Sequence, residues 1–286
     1  MDPLALYPSA FQIGTRPKPI AAAWLAPDEN LSAHIDDKRR ICAEEEIERY
    51  FMARPDTRAA QQEVWDLLTA HLPTIAPDRY RLNDAGLLVD GEHVRPDGDD
   101  LLLPASMLVA DDLVLMRRHD DGWRLVAASL FAPSYWTLAE KFDRPLQIIH
   151  GPVPGFGPDS RKAALITRMF DSLSTQFTLE RRNWSFHGDG VWFQPGHHPH
   201  NVLDARTSDA VLAGMYVRRE YQTIRKLAGS GDVLFTIHVS TQTLADVRRS
   251  NEAAELAGNL RSLDSQQRAY KGLEAGLDRL AAYLAG

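Results

Sequence analysis

The sequence predicts an α+β fold, an antiparallel sheet flanked by helices at the N- and C-terminal ends of the chain. Strand-like runs cluster at 112–117, 123–132, 181–187, 190–194, 213–222 and 232–240, with turn residues such as His119-Asp120-Asp121-Gly122 and Gly229-Ser230-Gly231 between them. Helical periodicity dominates the two ends, at 31–53 and 57–71 and again at 242–257 and 264–284. No repeat, low-complexity tract or linker divides the chain, so residues 1–286 read as one domain: an arm with helices over 1–75, a core over 80–240 and closing helices over 241–286.

Residues 1–30 are rich in proline with little periodicity, and are expected to run along the surface as an ordered arm. The helix over 31–53 offers Ile35, Ile41, Ile47, Tyr50 and Phe51 as its apolar stripe, and Pro55 ends it. The next helix turns Val64, Trp65, Leu67 and Leu68 inward. Asp90-Gly91, between LLV and EHV, signals a two-residue hairpin. Thr137 caps a short helix over 138–143, and Pro145 follows it. The apolar run 146–149 ends in His150, before a Gly/Pro loop at 151–158 and a helix over 159–174.

At 286 residues and 44% hydrophobic content the chain can bury a full core. Its net charge of −7 argues against nucleic acid as a partner. The single cysteine, Cys42, excludes an internal disulfide and a cysteine-ligated iron–sulfur cluster, and its acidic neighbours disfavour a reactive thiolate. The first residues lack the features of a signal peptide, and the apolar stretch at 20–26 is too short to span a membrane. The expected setting is cytoplasmic. No phosphate-binding loop or dinucleotide fingerprint is present.

Several residues carry chemistry. As a strand, 216–223 places Tyr216, Arg218, Glu220 and Gln222 on one face, either a surface or the lining of a site. Arg182-Asn183-Trp184-Ser185-Phe186-His187 sets Asn183, Ser185 and His187 on one face, for which the local pattern favours solvent. His150 suits either a helix-end imidazole bonding a carbonyl or a single axial ligand to a haem iron. His197, His198 and His200 lie among prolines and glycine and read as a solvated loop.

Five motifs in order, Gly14-Thr15-Arg16-Pro17, PSYWTLAEKFDRPLQIIHGPVPG (133–155), RNWSFH (182–187), RREYQTIRKLAGSGDVLFTI (218–237) and RAYKG (268–272), resemble the haem-binding α subunit of the haem-dependent oxidative N-demethylases, the dimethylamine monooxygenase type. The resemblance implies a PAS-like sheet with haem b between it and a short helix, and His150 as the iron ligand. It implies reductive use of O₂ to oxidise an N-methyl group of a small amine, giving formaldehyde and a smaller amine. Glu220 then becomes the candidate partner of the cationic amine. Arg218 becomes the candidate cation for bound O₂ or a haem propionate, and Gln222 the group that orients either. Asn183, Ser185, His187, Trp136 and Tyr135 are the further residues expected near the cofactor. Electrons would come from a separate reductase carrying flavin and an iron–sulfur centre. A haem sensor without turnover, and a diverged member with another substrate, are the alternatives. Where family members commonly read Gln-Glu-Asp, this chain has Ala110-Asp111-Asp112; if that segment lines the pocket, its shape and hydrogen bonding differ here.

Overall fold

The computed structural model describes residues 7–8, 15–20, 22, 24–84, 86–96, 98–196 and 203–286. The strands are β1 (Arg16–Pro19), β2 (Phe51–Ala53), β3 (Tyr80–Asn83), β4 (Gly86–Val89), β5 (Glu92–Val94), β6 (Asp112–His119), β7 (Gly122–Ser129), β8 (Phe177–His187), β9 (Tyr216–Lys226) and β10 (Val233–Thr243). The helices are α1 (Leu31–Glu44), α2 (Arg58–Ile75), α3 (Leu102–Ser106), α4 (Leu138–Lys141), α5 (Leu146–Ile149), α6 (Arg161–Asp171), α7 (Asp209–Gly214), α8 (Leu244–Arg249), α9 (Ala253–Arg261), α10 (Ser265–Tyr270) and α11 (Leu277–Ala285). Among the described residues, no helix is long and apolar enough to cross a membrane.

The α+β expectation holds. A seven-stranded antiparallel sheet runs β1-β8-β9-β10-β6-β7-β2, beside a three-stranded sheet β3-β4-β5. Strand alternation divides the large sheet cleanly. Leu113, Leu115 and Leu234 face α1, α2 and the small sheet. Trp184, Phe186 and Val217 face α7–α9 and α11 at the other end of the same side. Val114, Met116, Ile224 and Val233 point the opposite way, towards α4–α6 through Leu138, Leu146, Ile166 and Phe170. Each such side chain, fully buried, contributes roughly 1.5–3 kcal/mol.

Local chemistry sets the boundaries. The turn at Asp90-Gly91 has φ of 49° and 93°, as the hairpin signal required. Thr137 and Glu140 form a capping box that starts α4. Three expectations are corrected. The helix expected through 53 ends at Glu44, because Glu44-Glu45-Glu46 places like charges at its negative end. Phe51–Ala53 instead pairs with β7. The expected strand at 190–194 is a loop with one bridge, Ser134 to Gln194, and its aromatics pack inward: Trp192 stacks on His34 at 3.6 Å. The two expected C-terminal helices are four short ones, with fresh caps at Thr243 and Asp264.

Lys38 is 2% exposed, and its ammonium donates to the carbonyls of Ser106, Val109 and Asp111 at 3.0, 2.9 and 2.9 Å. That lysine shapes the chain entering β6. Lys38→Met leaves the carbonyls without their donor, and is expected to lower stability by about 2–4 kcal/mol in denaturant unfolding.

Opposite His34, His238 lies between two carboxylates: Nε2 is 3.0 Å from Asp28 and Nδ1 3.4 Å from Asp111. Both ring nitrogens can donate only in the imidazolium. Burial opposes the charge, but the hydrogen bonds to Asp111 and Asp28 outweigh it and raise the pKa to about 10. The folded pKa is raised, so the stabilisation is complete below about pH 6.5 and is lost as pH climbs to about 10. Urea unfolding from pH 6 to 10 is expected to show a decline that His238→Gln removes, on the order of 2–4 kcal/mol.

Candidate functional site

Between the sheet and α4–α6 lies a cavity of about 270 Å³, at the lower edge of the ~300–1,000 Å³ of small-molecule pockets. Register builds its floor. Leu179, Ile224, Phe235 and Val114 lie opposite one another across β8, β9, β10 and β6. The next row is Arg181, Gln222 and Ile237, and the one after it begins Asn183, Glu220. Paired antiparallel residues share a face. The floor therefore grades from apolar to polar within a few residues. Ile149, Val153, Phe156 and Met169 line the apolar end, with Ser134, Trp136, Lys141, Tyr270 and Lys271 closing the polar end.

Glu220 is the hub of the polar end. Its Oε1 accepts from Ser134 Oγ at 2.5 Å, and its Oε2 from Gln222 Nε2 at 2.7 Å and Asn183 Nδ2 at 3.3 Å. Burial raises its pKa, but Arg218 and the hydrogen bonds from Ser134 and Asn183 outweigh that and hold it below the usual carboxylate range. Glu220 is thus ionised. Gln222 Oε1 faces this carboxylate's neighbourhood with no hydrogen-bond partner among the described residues.

The cations outnumber it. Lys141 lies 4.0 Å from the Trp136 ring centroid, and Lys271 donates to the Trp184 carbonyl at 2.7 Å. Burial depresses both amines to about 8, against the pull of Glu220. Arg181 also lines the cavity, its pKa lowered by burial against the pull of Glu220.

His150 ends α5 and reaches the cavity from the helical side. Its Nδ1 is 3.0 Å from the Leu146 carbonyl, which fixes the proton there and leaves Nε2 as a lone-pair donor. Burial, then Lys141, push its pKa down to about 4, so the ring is neutral. This is the form that ligates a metal. Among the described residues no three His, Cys, Asp or Glu side chains converge as a metal cage. A metal held by His150 would have to bring most of its own ligands, as a porphyrin iron does. The neutral imidazole, the apolar walls and the cations that would meet anionic substituents all fit haem.

The structure brings His150, Trp136, Asn183, Ser185, Glu220 and Gln222 together in one lining. The solvent-facing expectation for Asn183 and Ser185 is thereby corrected: α4–α6 cover that face. Arg218 and His187 stand behind the lining. Arg218 is fully buried and donates from Nη1 to the Trp192 carbonyl at 2.8 Å and from Nη2 to the Ala132 carbonyl, with Nε 4.0 Å from Glu220. His187 bonds Ser185 Oγ at 2.9 Å and stacks on Tyr135 at 4.5 Å. That ring supports a strained residue, since Tyr135 has φ of 61° and anchors its hydroxyl on the Phe186 carbonyl at 2.9 Å. The turn at Tyr135 lets Ser134 and Trp136 on either side of it reach the cavity. Ala110-Asp111-Asp112 itself lies outside the lining. Asp112 instead accepts the backbone N–H of Phe131 at 2.7 Å and of Ala132 at 3.1 Å, fixing the start of the same loop. His197, His198 and His200 lie outside the described residues.

Sequence reasoning missed Arg181, Lys141, Tyr270 and Lys271. Arg181 was legible, since it continues the odd-numbered face of Asn183 and Ser185.

The family model described as haem-dependent oxidative N-demethylase, alpha subunit-like, matches residues 17–281. No curated protein matches the chain.

Proposed function

The chain belongs to the haem-dependent oxidative N-demethylase, alpha subunit-like family, and from that premise we propose that it holds haem b beside His150 and removes an N-methyl group from a small amine such as dimethylamine. One observation carries the reading: a single cavity joins a neutral, oriented imidazole to a buried carboxylate beside an unused amide oxygen. A secondary ammonium has two N–H donors. Glu220 takes one, with the charge, and Gln222 Oε1 takes the other. This turns an N-methyl group away from the polar corner towards the apolar end. The pairing gains from the cavity's low polarity.

Haem, when bound, supplies an iron at which O₂ is reduced by electrons from outside the chain. The overall reaction takes the amine, O₂, two electrons and two protons to a carbinolamine and water. The carbinolamine then breaks its C–N bond to give formaldehyde and methylamine. The chain's own part is to orient the amine and to keep the reacting methyl group among Ile149, Phe156 and Phe235, shielded from bulk water. Arg218 stabilises the charge on Glu220 and ties the Ala132 and Trp192 segments over it. As an alpha-subunit-like chain it works with partner subunits. We assign electron delivery to a separate reductase with flavin and an iron–sulfur centre, because one cysteine cannot hold a cluster.

The test is turnover. Haem-loaded protein given O₂, a reductant and dimethylamine is expected to release formaldehyde and methylamine in equal amounts. Reversible O₂ binding without formaldehyde from any small N-methylamine would contradict the enzyme and favour a gas sensor.

A further inference from the structure

Arg181 has unusual surroundings for a charged group. It lies on β8 opposite Gln222, within the cavity lining. Among the described residues its side chain makes no hydrogen bond and no ion pair, and its Nε is buried without a partner. The other cations near it are engaged. Arg218 holds two carbonyls, Lys271 holds one, and Lys141 lies on the Trp136 ring. Among the described residues Glu220 is the one carboxylate in the lining, and its oxygens already accept from Ser134, Asn183 and Gln222. Arg181 is half-buried, its guanidinium stays charged, and holding that charge away from bulk water without a partner is costly. The fold maintains that cost at a position that opens into an otherwise prepared cavity.

We propose that Arg181 is the receptor for a carboxylate carried by the molecule that fills this cavity. The guanidinium presents a planar fork that matches a carboxylate with two parallel hydrogen bonds, a geometry an ammonium lacks. Charge supports it, since among the described lining residues Lys141, Arg181 and Lys271 are met by one carboxylate, Glu220. The carboxylate has two possible sources. One is a propionate of haem. The other is the substrate, which would then be an N-methyl amino acid: its ammonium on Glu220 and Gln222, its carboxylate on Arg181. The inference rests on the haem reading above and adds the anionic group the site requires.

Two titrations of wild type and Arg181→Met separate the sources. In the first, apoprotein is titrated with haem and with haem dimethyl ester, whose propionates are capped. In the second, haem-loaded protein is titrated with N-methylglycine and with dimethylamine, read from the change in the visible spectrum. If a propionate is the ligand, wild type prefers haem over the ester by about tenfold or more, and Arg181→Met erases the preference. If the substrate is, haem binding is unchanged and N-methylglycine binding falls by about tenfold or more, with dimethylamine unaffected. Arg181→Lys keeps the charge but loses the fork, and is expected to restore only part of either effect. The empty Arg181→Met protein should be at least as resistant to urea as wild type, because it removes an unpaired buried charge. An empty variant that unfolds more readily would reveal a structural partner and overturn the inference. So would haem-loaded wild type and variant that behave alike in both titrations. Wild type that binds neither porphyrin would instead sink the haem reading, and this inference with it.

Discussion

Glu220→Gln is expected to abolish the spectral response of the haem-loaded protein to dimethylamine while leaving haem bound. The carboxylate is held ionised inside the protein, with three hydrogen-bond donors fixing its oxygens. Glutamine keeps the size and removes the charge. A cationic amine entering the cavity would then lose its counter-ion while Lys141, Arg181 and Lys271 remain, and like charges in a buried space repel. The loss is about 3 kcal/mol or more, roughly a hundredfold or more in amine affinity. The side-chain amide would also present a donor to Ser134, Asn183 or Gln222, and so disturb the corner that orients the methyl group. Glu220→Asp keeps the charge with a shorter reach and should retain weakened binding. Titrating both variants with dimethylamine, alongside their haem content, checks the argument. Undiminished amine binding by Glu220→Gln would remove Glu220 from the role assigned to it.

Much of this corner was legible before folding. Alternation along 216–223 put Arg218, Glu220 and Gln222 on one face, and alternation along 182–187 did the same for Asn183 and Ser185. Antiparallel pairing then set Asn183 against Glu220. Local pattern could not say what covered that face, because α4–α6 and the Tyr270-Lys271 segment reach it from distant positions in the chain. Hence Asn183 and Ser185 read as solvent-facing, although they line the cavity. Arg218 marks a different limit. Its strand face was correct, but the two carbonyls it binds belong to the loops at Ala132 and Trp192, which no spacing along β9 reveals. Short-range signals fared best: the Asp90-Gly91 turn and the Thr137 cap depend only on neighbouring residues. The helix expected through 53 failed for the opposite reason. An apolar stripe continued past Glu44, but the stripe at Phe51 serves a strand paired with β7.

His150→Ala is expected to have the largest effect of all, because among the described residues no other histidine and no cysteine lines the cavity. Among the described residues, Cys42, His187 and His238 all stand outside the cavity lining. The Leu146 carbonyl holds the His150 proton on Nδ1, and burial keeps the ring neutral, so Nε2 is already prepared for iron. If His150 is the iron ligand as proposed, its loss would remove the imidazole that anchors haem in the cavity. The protein should still fold, since His150 is a half-buried residue at the end of a four-residue helix. Far-ultraviolet circular dichroism of the empty variant should therefore match wild type.

The most direct test is the visible absorption spectrum of wild type and His150→Ala after haem supplementation under identical conditions. The expected result is an intense, protein-specific Soret band in wild type and, in the folded variant, only the spectrum of loosely associated haem. A wild-type protein with no Soret band, or a variant whose band is unchanged in position and strength, would contradict a haem centre built on His150.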